Sequence, residues 1–274
     1  MDVHGNLALT YGAHDPGCCS LGMRALSLLM MGQLDRAEAE SAKALALSLE
    51  VGHKPSIAHT HLFRAELFVI LDDPEQALPH LRTCIELSRK YSLSGYLFSA
   101  ELKEGWAHVL RGDTEAGLRQ ADAALEALKS IPTRRFHLPI RIAIVGRAKA
   151  AAGDLNGALG LFDSALEAAA TTGERWYEPE LRRLRAEALL ARGDGSSSAA
   201  EQCLQAGIAL AQAQEAKFWE LRAATTLAKL WHRQGRGAEA HDLLAPVYGS
   251  FTEALGSCDL LEAKTTLLDL AQND

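Results

Sequence analysis

The chain has 274 residues, 48% of them hydrophobic and 23% charged, with a formal net charge of −7. An acidic chain without a basic block has no cationic surface with which to displace counterions, so nucleic acid and anionic membrane are expected to be poor partners. Its apolar runs, such as residues 25–31, are too short to span a bilayer, and the first residues have no basic n-region, so a cytoplasmic protein is expected.

In chain order, residues 1–17 form a lead-in, which the reading takes as a possible remnant of an upstream repeat or domain. A repeat follows. The segments MGQLDRAEAE, LDDPEQALPH, RGDTEAGLRQ, AGDLNGALGL, RGDGSSSAAE and QGRGAEAHDL contain the turn residues Gly32, Asp72, Gly112, Gly153, Gly193 and Gly235, spaced 40, 40, 41, 40 and 42 apart. Seven residues before each turn stand Ala25, Ala65, Gly105, Gly146, Ala186 and Ala228. Five residues after it come Ala37, Ala77, Gly117, Ala158 and Ala240. The fifth repeat has Ser198 there with Ala199 beside it, which reads as one inserted residue. Small residues at both offsets let two helices approach closely. A small–apolar pair recurs further on (Ala44–Leu45, Cys84–Ile85, Ala124–Leu125, Ala165–Leu166) and reads as lost in the last two repeats.

The 3.6-residue apolar spacing between turns predicts six hairpins. First helices are expected at 18–31, 56–71, 95–111, 135–152, 177–192 and 217–234. Second helices are expected at 34–51, 74–91, 113–130, 154–171, 196–214 and 237–254. The fold class is therefore all-α: a right-handed α-solenoid over 18–254, with a capping helix in 255–274, about 258–272. A solenoid's end face should be covered, so something is expected to pack before Leu21.

The chemistry of enzymes is not legible. GxxxxGK[ST], HExxH and GxSxG are absent, and neither an enzymatic activity nor a cofactor or metal is expected. The five cysteines (Cys18, Cys19, Cys84, Cys203, Cys258) form no CxxC and read as reduced, mostly buried thiols. His53, His59 and His61 invite a metal reading, but i and i+2 on a helix face apart. Arg182, Arg183 and Arg185 read as a solvated face paired with Glu178, Glu180 and Glu187. Trp106, Trp176, Trp219 and Trp231 read as packing.

These offsets resemble the tetratricopeptide repeat, with a longer period and without its closing proline. GERWYEPELRRLRAEALLARGD and AKFWELRAATTLAKLWHRQGRGAEAHDLLAPVYGSFTEALGSCDLLEAKTTLL resemble the C-terminal region of bacterial signalling ATPases. YGAHDPGCCSLGMRALSLLMMGQLDRA resembles the start of that tail. Such proteins join a class III adenylate/guanylate cyclase domain or a helix-turn-helix domain to an AAA-type ATPase and a long repeat tail. The resemblance implies a regulatory or scaffold segment whose catalytic partners lie upstream. The partner is then a protein or peptide segment, including a cyclase or ATPase domain, with a small effector of a transcriptional regulator as the alternative. In tetratricopeptide geometry the first helices line the concave surface. Transfer by offset puts His59, Glu66, Ser99, Trp106, Arg147, Arg183, Glu187, Arg222, Lys229 and Arg233 there, with Leu26, Leu62 and Leu102 making the early half more apolar. A ligand with apolar and acidic portions is expected. Replacing Arg183, Arg222 and Lys229 together should weaken its binding and leave the melting temperature unchanged.

Overall fold

The computed structural model describes residues 14–131, 137–193, 195–254 and 256–272. Residues 1–13 of the lead-in, the start of the fourth predicted first helix, Asp194 and the extreme ends of the 255–274 segment lie outside them. Thirteen α-helices and no strand occur among the described residues. They are α1 (Pro16–Met30), α2 (Leu34–Val51), α3 (Lys54–Ile70), α4 (Pro74–Lys90), α5 (Ser94–Leu110), α6 (Thr114–Lys129), α7 (Leu138–Ala151), α8 (Leu155–Thr172), α9 (Glu178–Arg192), α10 (Ser197–Ala213), α11 (Lys217–Arg233), α12 (Gly237–Gly249) and α13 (Cys258–Ala271). The architecture is an all-α helical repeat of the solenoid type. The predicted helices are all found, and α12 differs most. It ends at Gly249 rather than 254, and Phe251 just beyond it turns inward and is buried.

The turns explain the period. All six turn residues adopt the left-handed conformation, with φ from 56° at Asp72 to 95° at Gly112. Glycine takes that conformation without steric cost, and aspartate is among the few other residues that tolerate it. Asp72 repays its strain, because its carboxylate receives the Arg147 guanidinium. Asp73 and Asp154 then cap α4 and α8, accepting from the backbone N–H of Gln76 at 3.0 Å and Gly157 at 2.9 Å.

The two small-residue offsets face each other. A Cβ on Gly105 would lie 2.6 Å from the Gly117 carbonyl, and one on Gly117 would lie 2.6 Å from the Gly105 carbonyl. The backbones of α5 and α6 therefore touch. In the fifth hairpin the buried small residue is Ala200, not Ala199, so two residues are inserted there rather than one. That shift also recovers the small–apolar pair as Gly207–Ile208, both buried, so repeat five keeps what the fixed offset reads as lost.

Contacts divide the chain into two compact units, Met1–Leu29 with Arg36–Gly153, and Met30–Asp35 with Asp154–Asp274. In the first unit α3 packs on α4 and on α5, α5 on α6 and on α7. In the second, α9 packs on α10 and α11, and α11 on α12 and α13. No helix among the described residues is long and apolar enough to cross a membrane.

Candidate functional site

The residues expected on the concave surface divide evenly between the units, and the two sets differ in exposure. In the first unit all five are buried: His59, Glu66, Ser99, Trp106 and Arg147. Glu66 on α3 is held by Lys103 Nζ at 3.1 Å and by His137 Nδ1 at 3.0 Å. Burial pushes the Glu66 carboxyl up, but Lys103 and His137 together hold it far below the usual carboxylate range. Ser99 donates to the Gly95 carbonyl. Arg147 donates to Val69 O at 3.0 Å and stacks 5.0 Å above the Trp106 ring. Leu26, Leu62 and Leu102 are likewise interior. These side chains hold helices together in this arrangement and form no open surface.

In the second unit Arg222 is also buried. It bonds Glu180 at 3.0 Å and Asp259 at 2.5 Å, and lies 4.8 Å over Phe218. Arg222 thus ties three helices, α9, α11 and α13, so its removal is now expected to cost stability as well as any binding. Arg183 is nearly covered and pairs with Glu180 at 2.7 Å and Glu187 at 2.5 Å. Glu178 and Glu180 are themselves buried, so the α9 face read as solvated is partly interior. Arg185 pairs instead with Asp163 on α8, at 2.7 Å. Of the tryptophans, Trp106, Trp219 and Trp231 are buried as packing residues.

The other three residues converge. Glu187, Lys229 and Arg233 line a groove of about 580 Å³ formed by α9, α10, α11 and α13. Leu190, Ala191 and Leu230 supply its apolar lining, and Ser197, Thr226, Gln234 and Glu262 its other polar groups. Lys229 is ion-paired with Glu262, and Thr226 Oγ1 lies 3.2 Å from Glu187 Oε1. Arg233 is exposed and makes no ion pair or side-chain hydrogen bond among the described residues. The groove thus offers one uncommitted guanidinium beside an apolar strip.

Leu190, Thr226 and Leu230 were not among the expected residues, although helical spacing carries them. Leu190 is three residues beyond Glu187, and residues 226, 229, 230 and 233 trace one face of α11, with Gln234 just past its end. Glu262 comes from the terminal helix, which repeat offsets cannot reach. The histidines separate, as the i and i+2 spacing of His59 and His61 requires. His61 meets His80 on α4, with Nδ1 atoms 2.9 Å apart, while His53 contacts Ser56. Arg64 Nε donates to His80 Nε2, so the proton of neutral His80 is on Nδ1 and donates to His61. Burial first, then neighbouring charge, holds both imidazoles down to about 4.

Comparison with known proteins agrees with this architecture. Residues 18–90 match the tetratricopeptide repeat family. An uncharacterised protein of Rhizobium meliloti (strain 1021) is 24% identical over 220 residues, which is 80% of this chain and 21% of that protein. The chain thus spans about a fifth of the length of that relative. Among solved structures, a Rap protein complexed with Competence and Sporulation Factor superposes with a TM-score of 0.58 at 16% identity, over 92% of this chain and 74% of the other. A Signal Transduction ATPase with Numerous Domains from Pyrococcus horikoshii, which has a tetratricopeptide repeat sensor, gives 0.53 at 15% identity, over 91% and 38%. At these identities the likeness concerns the fold.

Proposed function

We propose that this chain is a non-catalytic interaction and regulatory module of a bacterial signalling system, acting in the cytoplasm with a cyclase domain or an AAA-type ATPase. In this reading the groove of the second unit takes an acidic, partly apolar segment of that partner. The observation that carries it is Arg233, exposed and without an ion pair among the described residues, beside Lys229 and the Leu190–Leu230 strip. A guanidinium fork fits a carboxylate in bidentate fashion, and the apolar strip adds burial. The fold-level neighbours, a signalling ATPase with a repeat sensor among them, give the reading its class.

The test compares capture from native lysate by the wild-type chain and by Arg233→Glu. A cyclase or ATPase polypeptide retained by the first and lost by the second, at equal melting temperature, is the expected result. Equal capture by both removes the groove from the reading, and absence of any such polypeptide removes the partner class. A second reading, a small-molecule effector site, draws on the groove volume of about 580 Å³, within the usual range for such ligands. Thermal shifts with small carboxylates that vanish in Arg233→Glu would favour it.

A further inference from the structure

The entry to α1 and the first half of α3 bring together three nitrogen and sulfur donors distant in sequence. His14, Cys19 and His59 each place one ligand atom within 4.8 Å of the other two. His59 is buried, while His14 and Cys19 are half-buried. Tyr96 Oη, from α5, lies 2.7 Å from His14 Nδ1. If His14 carries its proton on Nδ1 and donates it to that oxygen, Nε2 keeps its lone pair. This is the usual state of a metal-ligating histidine, oriented by a partner on its other nitrogen.

The adjacent cysteines are chemically distinct. Cys18 is fully buried and its backbone N–H donates to the Asp15 carboxylate at 3.0 Å, whereas Cys19 is half-buried. A coordinating metal deprotonates a cysteine thiol outright.

We propose that His14, Cys19 and His59 form a binding site for a borderline-soft divalent transition metal, best matched by Zn²⁺, which pins the residues entering α1 onto α3. Two imidazoles and one thiolate suit Zn²⁺ and leave a fourth, tetrahedral position for water. Calcium and magnesium require oxygen donors and do not fit. The His14 and His59 rings are stacked, with centroids 3.8 Å apart and planes within 2°. Each lone pair lies in the plane of its own ring, and parallel planes share no point, so coordination requires one ring to turn. His14 precedes the first residue of α1, Pro16, so no helix holds its backbone, whereas His59 lies within α3.

The test is a Co²⁺ titration of the metal-free full chain, kept reduced under nitrogen and followed by the thiolate-to-cobalt charge-transfer band. Equimolar saturation, displacement by Zn²⁺ and loss of the band in Cys19→Ser are expected. His14→Gln, which lies outside the helices, should keep the helical circular dichroism and weaken binding about tenfold or more, and Tyr96→Phe about tenfold. The band should survive in Cys258→Ser. A wild-type chain without the band, or a band that persists in Cys19→Ser, overturns the proposal.

Discussion

The position six residues before the turns of hairpins two to six carries Glu66, Trp106 and Arg147 in the first unit, and Glu187 and Lys229 in the second. The first three side chains are at most 7% exposed, while Glu187 and Lys229 are 45% and 42% exposed. The repeat offset is the same, but its surroundings are not. Around Glu66, Lys103 and His137 converge from α5 and the entry to α7 and close the space. In the second unit the comparable tie is Arg222, one helical turn from Thr226, and beyond it the helices part into the groove. A repeat position fixes the direction of a side chain; the neighbouring helices decide whether it meets solvent.

The hardest test of this contrast is Glu66→Ala. It leaves Lys103 buried without its counter-charge, and breaking a buried pair costs about 3–5 kcal/mol. Chemical denaturation should show that loss. Joint replacement of Glu66 by Leu and Lys103 by Met should recover most of it, since well-packed apolar residues replace such pairs at little cost. A loss below about 1 kcal/mol for the single change, the range of exposed pairs, would remove the distinction between the units.

Arg222→Met should come next, at about 2–4 kcal/mol, because Glu180 keeps Arg183 as a second partner and Asp259 lies near solvent. Its binding phenotype should follow its stability, unlike that of Arg233→Glu. Loss of binding in Arg222→Met at an unchanged denaturation midpoint would return Arg222 to the binding surface.

Acid separates two effects within the first unit. His61 and His80 have folded values held down to about 4 against an ordinary 6.5, so the unfolded chain binds more protons between those limits. Their contribution is whole above about pH 6.5 and declines as pH falls toward 4. Glu66, with its folded value depressed, contributes above the ordinary carboxylate value of 4.5 and loses that contribution at lower pH. Denaturation midpoints should therefore fall in two stages, and His80→Phe should flatten the upper stage alone. An unchanged upper stage in that variant would remove the histidine pair as its cause.

The six hairpins were legible because Gly32, Gly112 and their counterparts mark the left-handed turns, and because Gly105 and Gly117 stand where backbones meet. The turns between hairpins were less so. Ser92, His137 and Glu215 take positive φ there without being glycine. The burial of Glu66, Lys103 and Arg222 was hidden for a different reason. A charged residue on a helical face has the same sequence pattern whether its partner is solvent or a carboxylate 40 residues away. The groove was half legible, through Glu187, Lys229 and Arg233, while Glu262 depended on where α13 packs.

The smallest expected effect bears on the groove itself. Lys229 and Glu262 pair at its rim with 42% and 54% of their side chains exposed. Water screens such a pair and two flexible side chains lose entropy to form it, so a double-mutant cycle should give a coupling of about 0.2–1 kcal/mol. The coupling should shrink further as salt approaches molar concentration, where the screening length falls to about 3 Å. Breaking the pair releases Lys229 beside Arg233, so Glu262→Gln should tighten the hold on an acidic peptide while leaving stability nearly unchanged. A coupling as large as that of Glu66 with Lys103 would mean that the groove is sealed by its own ion pair, and the second unit would then be closed in the same way as the first.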